Sequence, residues 1–350
     1  MLKLSILVFS LLCLVVGQVS AEAKLVFAID IIRHGARTPI ADIQNPPHLW
    51  GAGPGQLLPL GMQQEYHLGV EMRQRYVQHY HLLPPAYQPG VIYVRSTDFD
   101  RTLMSAESLL LGLYPLGTGP KLGFEQKLAL PGAFQPIPIH TVPVAEDQLF
   151  FPLRSRERAR LLQQYVYANP DWQKQDAKLK SHYSAWSTAT GVNIKQLSTL
   201  TSVGSALEIR SSQHVPLPKT LSAEAISTII ASGHWALAAS FKPEPIGFAL
   251  AHNLLEAINQ QFVAVSKSES TLKYVLYSAH DTTLLSMLSA LKVPLSTQVP
   301  YASDLNFMLF EQSEQQYEVQ VSFNGHVLKL PGCKQTRCTL AEFDAIAAGQ

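Results

Sequence analysis

The sequence predicts an α/β protein: a mainly parallel central sheet with helices on both faces, plus a smaller, mostly helical domain inserted into the chain. Three observations carry that prediction. Apolar runs at residues 25–32, 91–95 and 274–278 each stop abruptly at polar residues, as strands buried on both faces do. Each run is followed by a loop and then by apolar residues at helical spacing, the signature of strand–loop–helix units. From about residue 145 to 245 strand-like runs are scarce, and Arg, Gln and Trp are frequent instead.

Taken in order, residues 1–21 read as an export signal, with Lys3 at the start, an apolar stretch from Leu4 to Val16, and Val19-Ser20-Ala21 as the cleavage site. The first strand follows at 25–32 (LVFAIDII). A helix is expected next, with Met62, Tyr66, Gly69, Val70, Tyr76, Val77 and Tyr80 near a 3.6-residue period. The second strand is 91–95 (VIYVR), and a helix after Asp100 turns Leu109, Leu110 and Leu113 inward. The inserted helical domain occupies 145–245, leaving 22–144 and 246–350 as the core, with Trp172, Trp186 and Trp235 inside the insertion. The third strand, 274–278, leads into a helix after Asp281 that ends before Pro294. Strands at Asn306 to Phe310, Tyr317 to Phe323 and His326 to Leu330 close the chain, the last two joined by an Asn324-Gly325 hairpin turn.

Composition narrows the function. Among 350 residues there are 27 Lys+Arg against 26 Asp+Glu, 47% hydrophobic and 15% charged, which excludes a disordered chain and a polybasic nucleic-acid binder. No apolar run reaches the roughly 18 residues that a membrane span needs. Losing the signal removes one basic residue, Lys3, and balances the charge, while all 12 histidines stay. Cys13 leaves with the signal, and Cys333 and Cys338 remain, five positions apart. Export permits a disulfide between them; a metal site on the two thiolates would need more ligands, and His326 is the one candidate nearby. The chain has no Asn-x-Ser/Thr sequon, in keeping with a periplasmic or secreted protein.

Open α/β sheets bind ligands beyond the carboxyl ends of their strands. Arg33, His34, Gly35 and Arg37 follow the first strand; Arg95 ends the second, with Arg101 six residues on; His280 and Asp281 follow the third. Arginines and histidines with one carboxylate, and no carboxylate or thiol cluster, point to an anion site rather than a metal site. Guanidinium forks match phosphoryl oxygens in pairs, and a neutral imidazole among them is a nucleophile able to form a covalent intermediate. Asp281, at a helix start, is placed to protonate the departing oxygen and then to take a proton from water. Such a site uses arginine where other phosphotransfer enzymes use a metal, so no cofactor is expected. Asp98 and Asp100 read as turn or cap residues, Arg95 as either a ligand or an ion-pair partner, and His140 and Asp147 as lying near the cleft mouth or serving structure.

Arg33-His34-Gly35-Ala36-Arg37-Thr38-Pro39 together with Ser278-Ala279-His280-Asp281-Thr282-Thr283 resembles the histidine acid phosphatases, the prostatic and lysosomal branch more than the phytases. Residues 95–105 (RSTDFDRTLMS), 135–149, Tyr301-Ala302-Ser303 and 331–333 (PGC) resemble that branch in the same order. The resemblance implies the histidine phosphatase fold and an exported acid phosphatase that hydrolyses phosphate monoesters in two steps through a phosphohistidine. It makes His34 the nucleophile, Asp281 the proton donor, and Arg33, Arg37, Arg101 and His280 the phosphate ligands; homodimers are a family habit. The chain departs from the pattern in lacking the mammalian branch's further cysteines, in a Cys333–Cys338 spacing one residue longer, and in Asp30, which stands where that strand is normally apolar. Two rivals remain: a phytase, against which HDTT at 280–283 stands in place of the bacterial HDTN, and a non-catalytic anion-binding or host-interaction protein, which has no need of both His34 and Asp281.

Overall fold

The computed structural model describes residues 23–313 and 315–350. The expected export signal and Cys13 lie outside the described residues. Strand β1 (Lys24–Arg33) leads through a long loop to helix α1 (Pro59–Arg73), then β2 (Ile92–Ser96) and α2 (Asp100–Leu113). A small hairpin, β3 (Lys121–Leu122) and β4 (Lys127–Leu128), precedes five helices: α3 (Ser155–Leu162), α4 (Pro170–Leu179), α5 (Tyr183–Thr190), α6 (Leu200–Ser212) and α7 (Ala223–Ala239). The chain then returns through α8 (Glu244–Ser266) to β5 (Tyr274–Ala279) and α9 (Asp281–Ala290). It ends with β6 (Asp304–Ser313), β7 (Gln316–Phe323), β8 (His326–Val327), β9 (Cys338–Thr339) and α10 (Leu340–Ala347).

The main sheet has the order β2-β5-β1-β6-β7-β8, with β9 also on β7. Pairing is parallel across β2, β5 and β1 and antiparallel from β6 onward. The three parallel strands are the three apolar runs, and they end side by side. Alternation along β1 explains its continuous hydrophobicity: Phe27, Ile29 and Ile31 enter one core and Ala28 and Ile32 the other. Helices α8, α9 and α10 cover the first face, and α1 and α2 the second. Asn324 and Gly325 both take positive φ, 47° and 77°, in the two-residue turn that pairs Phe323 with His326.

A third apolar cluster holds Trp172 and Trp186 with buried residues of α4 to α7, and Trp235 packs against it. It is tied to the loop after β1 by Arg210, which is fully buried, pairs with Asp42 through two nitrogens at 2.8 and 2.7 Å, and donates to the Ile43 and Pro46 carbonyls.

Of the positions expected to face inward, Gly69, Tyr76 and Val77 are buried and Tyr80 packs against the same core. Gly61, Glu65, Leu68, Gly69 and Met72 point inward, while Tyr66 is exposed. Small residues set the closeness of the two helices: a Cβ on Gly69 would sit 3.0 Å from the Gly112 Cα, so α1 and α2 meet backbone to backbone there. Neither Asp98 nor Asp100 caps α2; Phe99 holds the cap position without a side-chain bond. Cys333 and Cys338 are joined by a disulfide with their Cα atoms 4.9 Å apart, which closes off the thiolate metal site, and both pack into the core under α10.

Candidate active site

The carboxyl ends of β1, β5 and β2 deliver Arg33, His280 and Thr97 to one place, because their parallel register aligns Arg33 with Ala279 and Ser96 with Ser278. The loop after β1 is fixed from above and below. The Gly35 amide donates to Ser105 Oγ of α2 at 3.2 Å, and the Ala36 amide to Gln64 Oε1 of α1 at 2.9 Å. A Cβ on Gly35 would lie 2.6 Å from the Gly61 Cα, so the glycine is what lets this loop sit against α1. Gly61 has the reciprocal role, and the sequence reading did not single it out.

His34 is almost completely buried. Its Nδ1 faces its neighbour's carbonyl, Gly35 O, at 2.9 Å. A carbonyl accepts only, so Nδ1 carries the proton and Nε2 has a free lone pair. Burial first, then Arg33, His280 and Arg37, push its pKa well below the usual imidazole range, against a smaller opposing effect of the Gly35 bond. These effects favour the neutral imidazole, the state a nucleophile needs.

Around it stand the other expected residues. Arg33 pairs with Asp281 at 3.0 Å, donates to the Val299 carbonyl, and lies 4.0 Å from the centre of the Tyr301 ring. Arg37 donates to the Thr38 carbonyl at 3.0 Å. Arg101 approaches His280 Nδ1 at 3.5 Å and stacks over Phe99; burial, followed by repulsion from Arg37, lowers its pKa to about 10. The Nε–H groups of Arg33, Arg37 and Arg101 are all buried without a partner, so the pocket holds more donors than acceptors. An oxyanion with several lone pairs is what such a set can bind. The rings of His34 and His280 are 5.5 Å apart, edge to face.

Asp281 opens α9, its Oδ1 accepting from the Thr282 amide at 2.7 Å. Burial pushes its pKa up, but Arg33, Arg37, His280 and the Thr282 amide outweigh it and hold the carboxyl below the ordinary range. His280 is the cap residue of α9. Its pKa falls to about 3, from burial first and then Arg101, with Asp281 opposing.

Other polar residues separate from this set. Arg95 pairs with buried Asp147 at 2.7 Å, the His140 ring stacks on Tyr93, and the His140 backbone bonds to Val94 and Ser96; these contacts brace β2. Asp30 accepts from Tyr76 Oη at 2.7 Å and Asn306 Nδ2 at 2.8 Å, with Arg75 at 3.7 Å, which accounts for a carboxylate inside a buried strand. Glu65 was missed. It is fully buried, neither of its oxygens has a partner, and burial and then Asp304 raise its pKa well above normal, against a weaker pull from Arg33. Its signal was positional, since it occupies the turn between Gly61 and Leu68 on the small-residue face. Among the described residues no group of three or more His, Cys, Asp or Glu side chains could hold a metal ion.

The profile of the histidine phosphatase superfamily (branch 2) matches residues 24–204 and 243–324. Bovine (Bos taurus) lysosomal acid phosphatase is 33% identical over 330 residues, covering 91% of this chain and 76% of that protein. Bovine prostatic acid phosphatase is 32% identical over 345 residues, covering 95% and 86%. Among solved structures, a phytase from Klebsiella sp. ASR1 superposes with a TM-score of 0.71 at 19% identity over 94% of this chain and 96% of that one; at that identity the likeness speaks for the fold alone.

Proposed function

The chain belongs to branch 2 of the histidine phosphatase superfamily, and from that premise we propose that it is an acid phosphatase, hydrolysing phosphate monoesters in two steps through a phosphohistidine at His34. The observation that carries this reading is the gathering of Arg33 and Arg37 about a buried His34 whose Nε2 is unprotonated, with Arg101 beside them against His280. Both relatives named above are acid phosphatases at about a third identity.

In the first step His34 Nε2 attacks phosphorus and the bond to the ester oxygen breaks. The guanidiniums take the charge on the phosphoryl oxygens, and Asp281 gives its proton to the departing alkoxide. In the second step water attacks phosphorus, the P–N bond breaks, Asp281 takes the water's proton, and inorganic phosphate leaves. Asp281 is ionised beside Arg33 and Arg37 in the free site. A bound phosphoryl group occupies those cations with its own negative charge, removes what depresses the carboxyl, and lets it acquire the proton that the first step uses. An acid optimum follows.

Export to the periplasm or beyond and assembly as a homodimer belong to the same proposal. The first is supported by the Cys333–Cys338 disulfide and by a lysosomal relative. The activity test is release of inorganic phosphate from a panel of aryl and alkyl monoesters in acid. Turnover lost in His34→Ala supports the reading; a wild-type protein that binds phosphate without turnover would make it an anion-binding protein.

A further inference from the structure

His280 reaches the phosphate pocket through one nitrogen and is anchored through the other. Its Nε2 lies 3.0 Å from Thr97 Oγ1, which lies 2.9 Å from Thr102 Oγ1. Thr102 Oγ1 is in turn 2.9 Å from the Thr97 carbonyl and 2.8 Å from the Phe99 carbonyl. Both threonines are completely buried, so water cannot substitute for a missing bond.

Proton counting gives this chain a direction. The two carbonyls only accept, so the single Thr102 hydroxyl proton is directed at them and not at Thr97 Oγ1. Its oxygen then accepts from the Thr97 hydroxyl, and Thr97 accepts from His280. Nε2 is therefore the protonated nitrogen, and Nδ1 faces the pocket with a lone pair, the state in which it can accept from Arg101 at 3.5 Å.

We infer that Thr97 and Thr102 are positioning residues that fix Nε2–H on His280 and so present Nδ1, the one nitrogen free to change protonation, to the phosphoryl group. When Arg101 turns its donors to a phosphoryl oxygen, Nδ1 loses its donor and meets an anion; it can face that oxygen only by taking a proton. The Thr97 oxygen supports the resulting imidazolium, because Nε2–H already points at it. The charged and titratable groups facing His280 are Arg101 from α2, Arg33, His34 and Arg37 from the end of β1 and its loop, and Asp281 from α9. Among these cations a bound anion is needed to make protonation favourable, so the relay couples phosphate binding to proton uptake. This inference rests on the phosphatase reading but names residues outside it.

The test combines NMR of the histidine ring nitrogens, with the His280 signals assigned by their loss in His280→Asn, and the pH dependence of competitive inhibition by inorganic phosphate. Resting wild type should show protonated Nε2 and unprotonated Nδ1. Thr97→Val should mix the two tautomers, weaken phosphate inhibition roughly tenfold or more, and move its pH dependence to lower pH; Thr97→Ser should restore both. A purely structural role would lower thermal stability while leaving tautomer and pH dependence unchanged, and that outcome overturns the inference. Should Thr97→Val not fold, an unprotonated Nε2 in resting wild type overturns it as well. Wild-type turnover measured on the same samples tests the phosphatase reading separately.

Discussion

Arg33 and Asp281 form an ion pair 3.0 Å long beside His34 in the candidate site. On the proposed mechanism one guanidinium serves two partners: it holds the acid ionised in the free site, and it becomes a phosphate ligand when substrate enters. Substrate binding itself then sets the proton on Asp281. Asp281→Asn should lower kcat by about 100-fold or more for alkyl phosphates, the range of general-acid contributions, and by much less for aryl phosphates whose leaving groups need no proton. A series of esters graded by leaving-group pKa measures the difference; equal losses along the series would remove Asp281 from the acid role.

Glu65 makes stability depend on pH in a direction that can be worked out. Its folded pKa is raised by burial, so the carboxyl is neutral in the fold at a pH where it ionises in the unfolded chain. The contribution is fully present below the ordinary glutamate pKa and is lost as pH rises toward the raised value. Asp304 shifts the same way, whereas His34 and His280, held neutral by burial, weaken the fold as pH drops. Glu65→Gln should match wild type in acid and melt higher than it near neutrality. About 1 kcal/mol moves Tm by roughly 1–2 °C in a chain this long. Melting curves across pH would detect it, and parallel curves for the two proteins would contradict it.

Gly61 shapes the site by packing against the loop that carries His34. A Cβ there would meet the Ala36 amide nitrogen at 2.7 Å, forcing α1 from the loop that holds His34. Gly61→Ala should cost about 100-fold in kcat/KM, as ångström-scale misplacement of catalytic groups does, with phosphate affinity falling alongside. Steady-state kinetics on folded variant checks this.

Arg210 is a structural counterpart. Replacing it with Ala leaves Asp42 facing a buried gap and frees the Ile43 and Pro46 carbonyls. Loss of one partner of such a pair should destabilise the protein by roughly 3–5 kcal/mol, read by denaturant unfolding.

Much of this was legible in the sequence because it is local. Parallel strands buried on both faces advertise themselves as apolar runs, and His34, Arg37, Arg101, His280 and Asp281 all fall within a few residues of a strand end. What escaped depends on contacts between distant segments. Nothing near Asp30 in sequence announces Tyr76, Arg75 and Asn306 as its partners, and the inward turn of Glu65 accompanies the close approach of Gly69 to Gly112. The roles of Thr97 and Thr102 require knowing that their hydroxyls touch each other and a histidine 183 positions away from Thr97.

On the proposed mechanism His34 carries the phosphoryl group between the two steps. Wild-type enzyme quenched with denaturant during turnover of an aryl phosphate, with excess chelator present, and mapped by mass spectrometry under alkaline conditions that preserve phosphohistidine, should carry phosphate on the peptide containing His34. His34→Ala should carry none and release no phosphate. Turnover by wild type without that phosphopeptide, together with turnover retained in His34→Ala, would contradict the account.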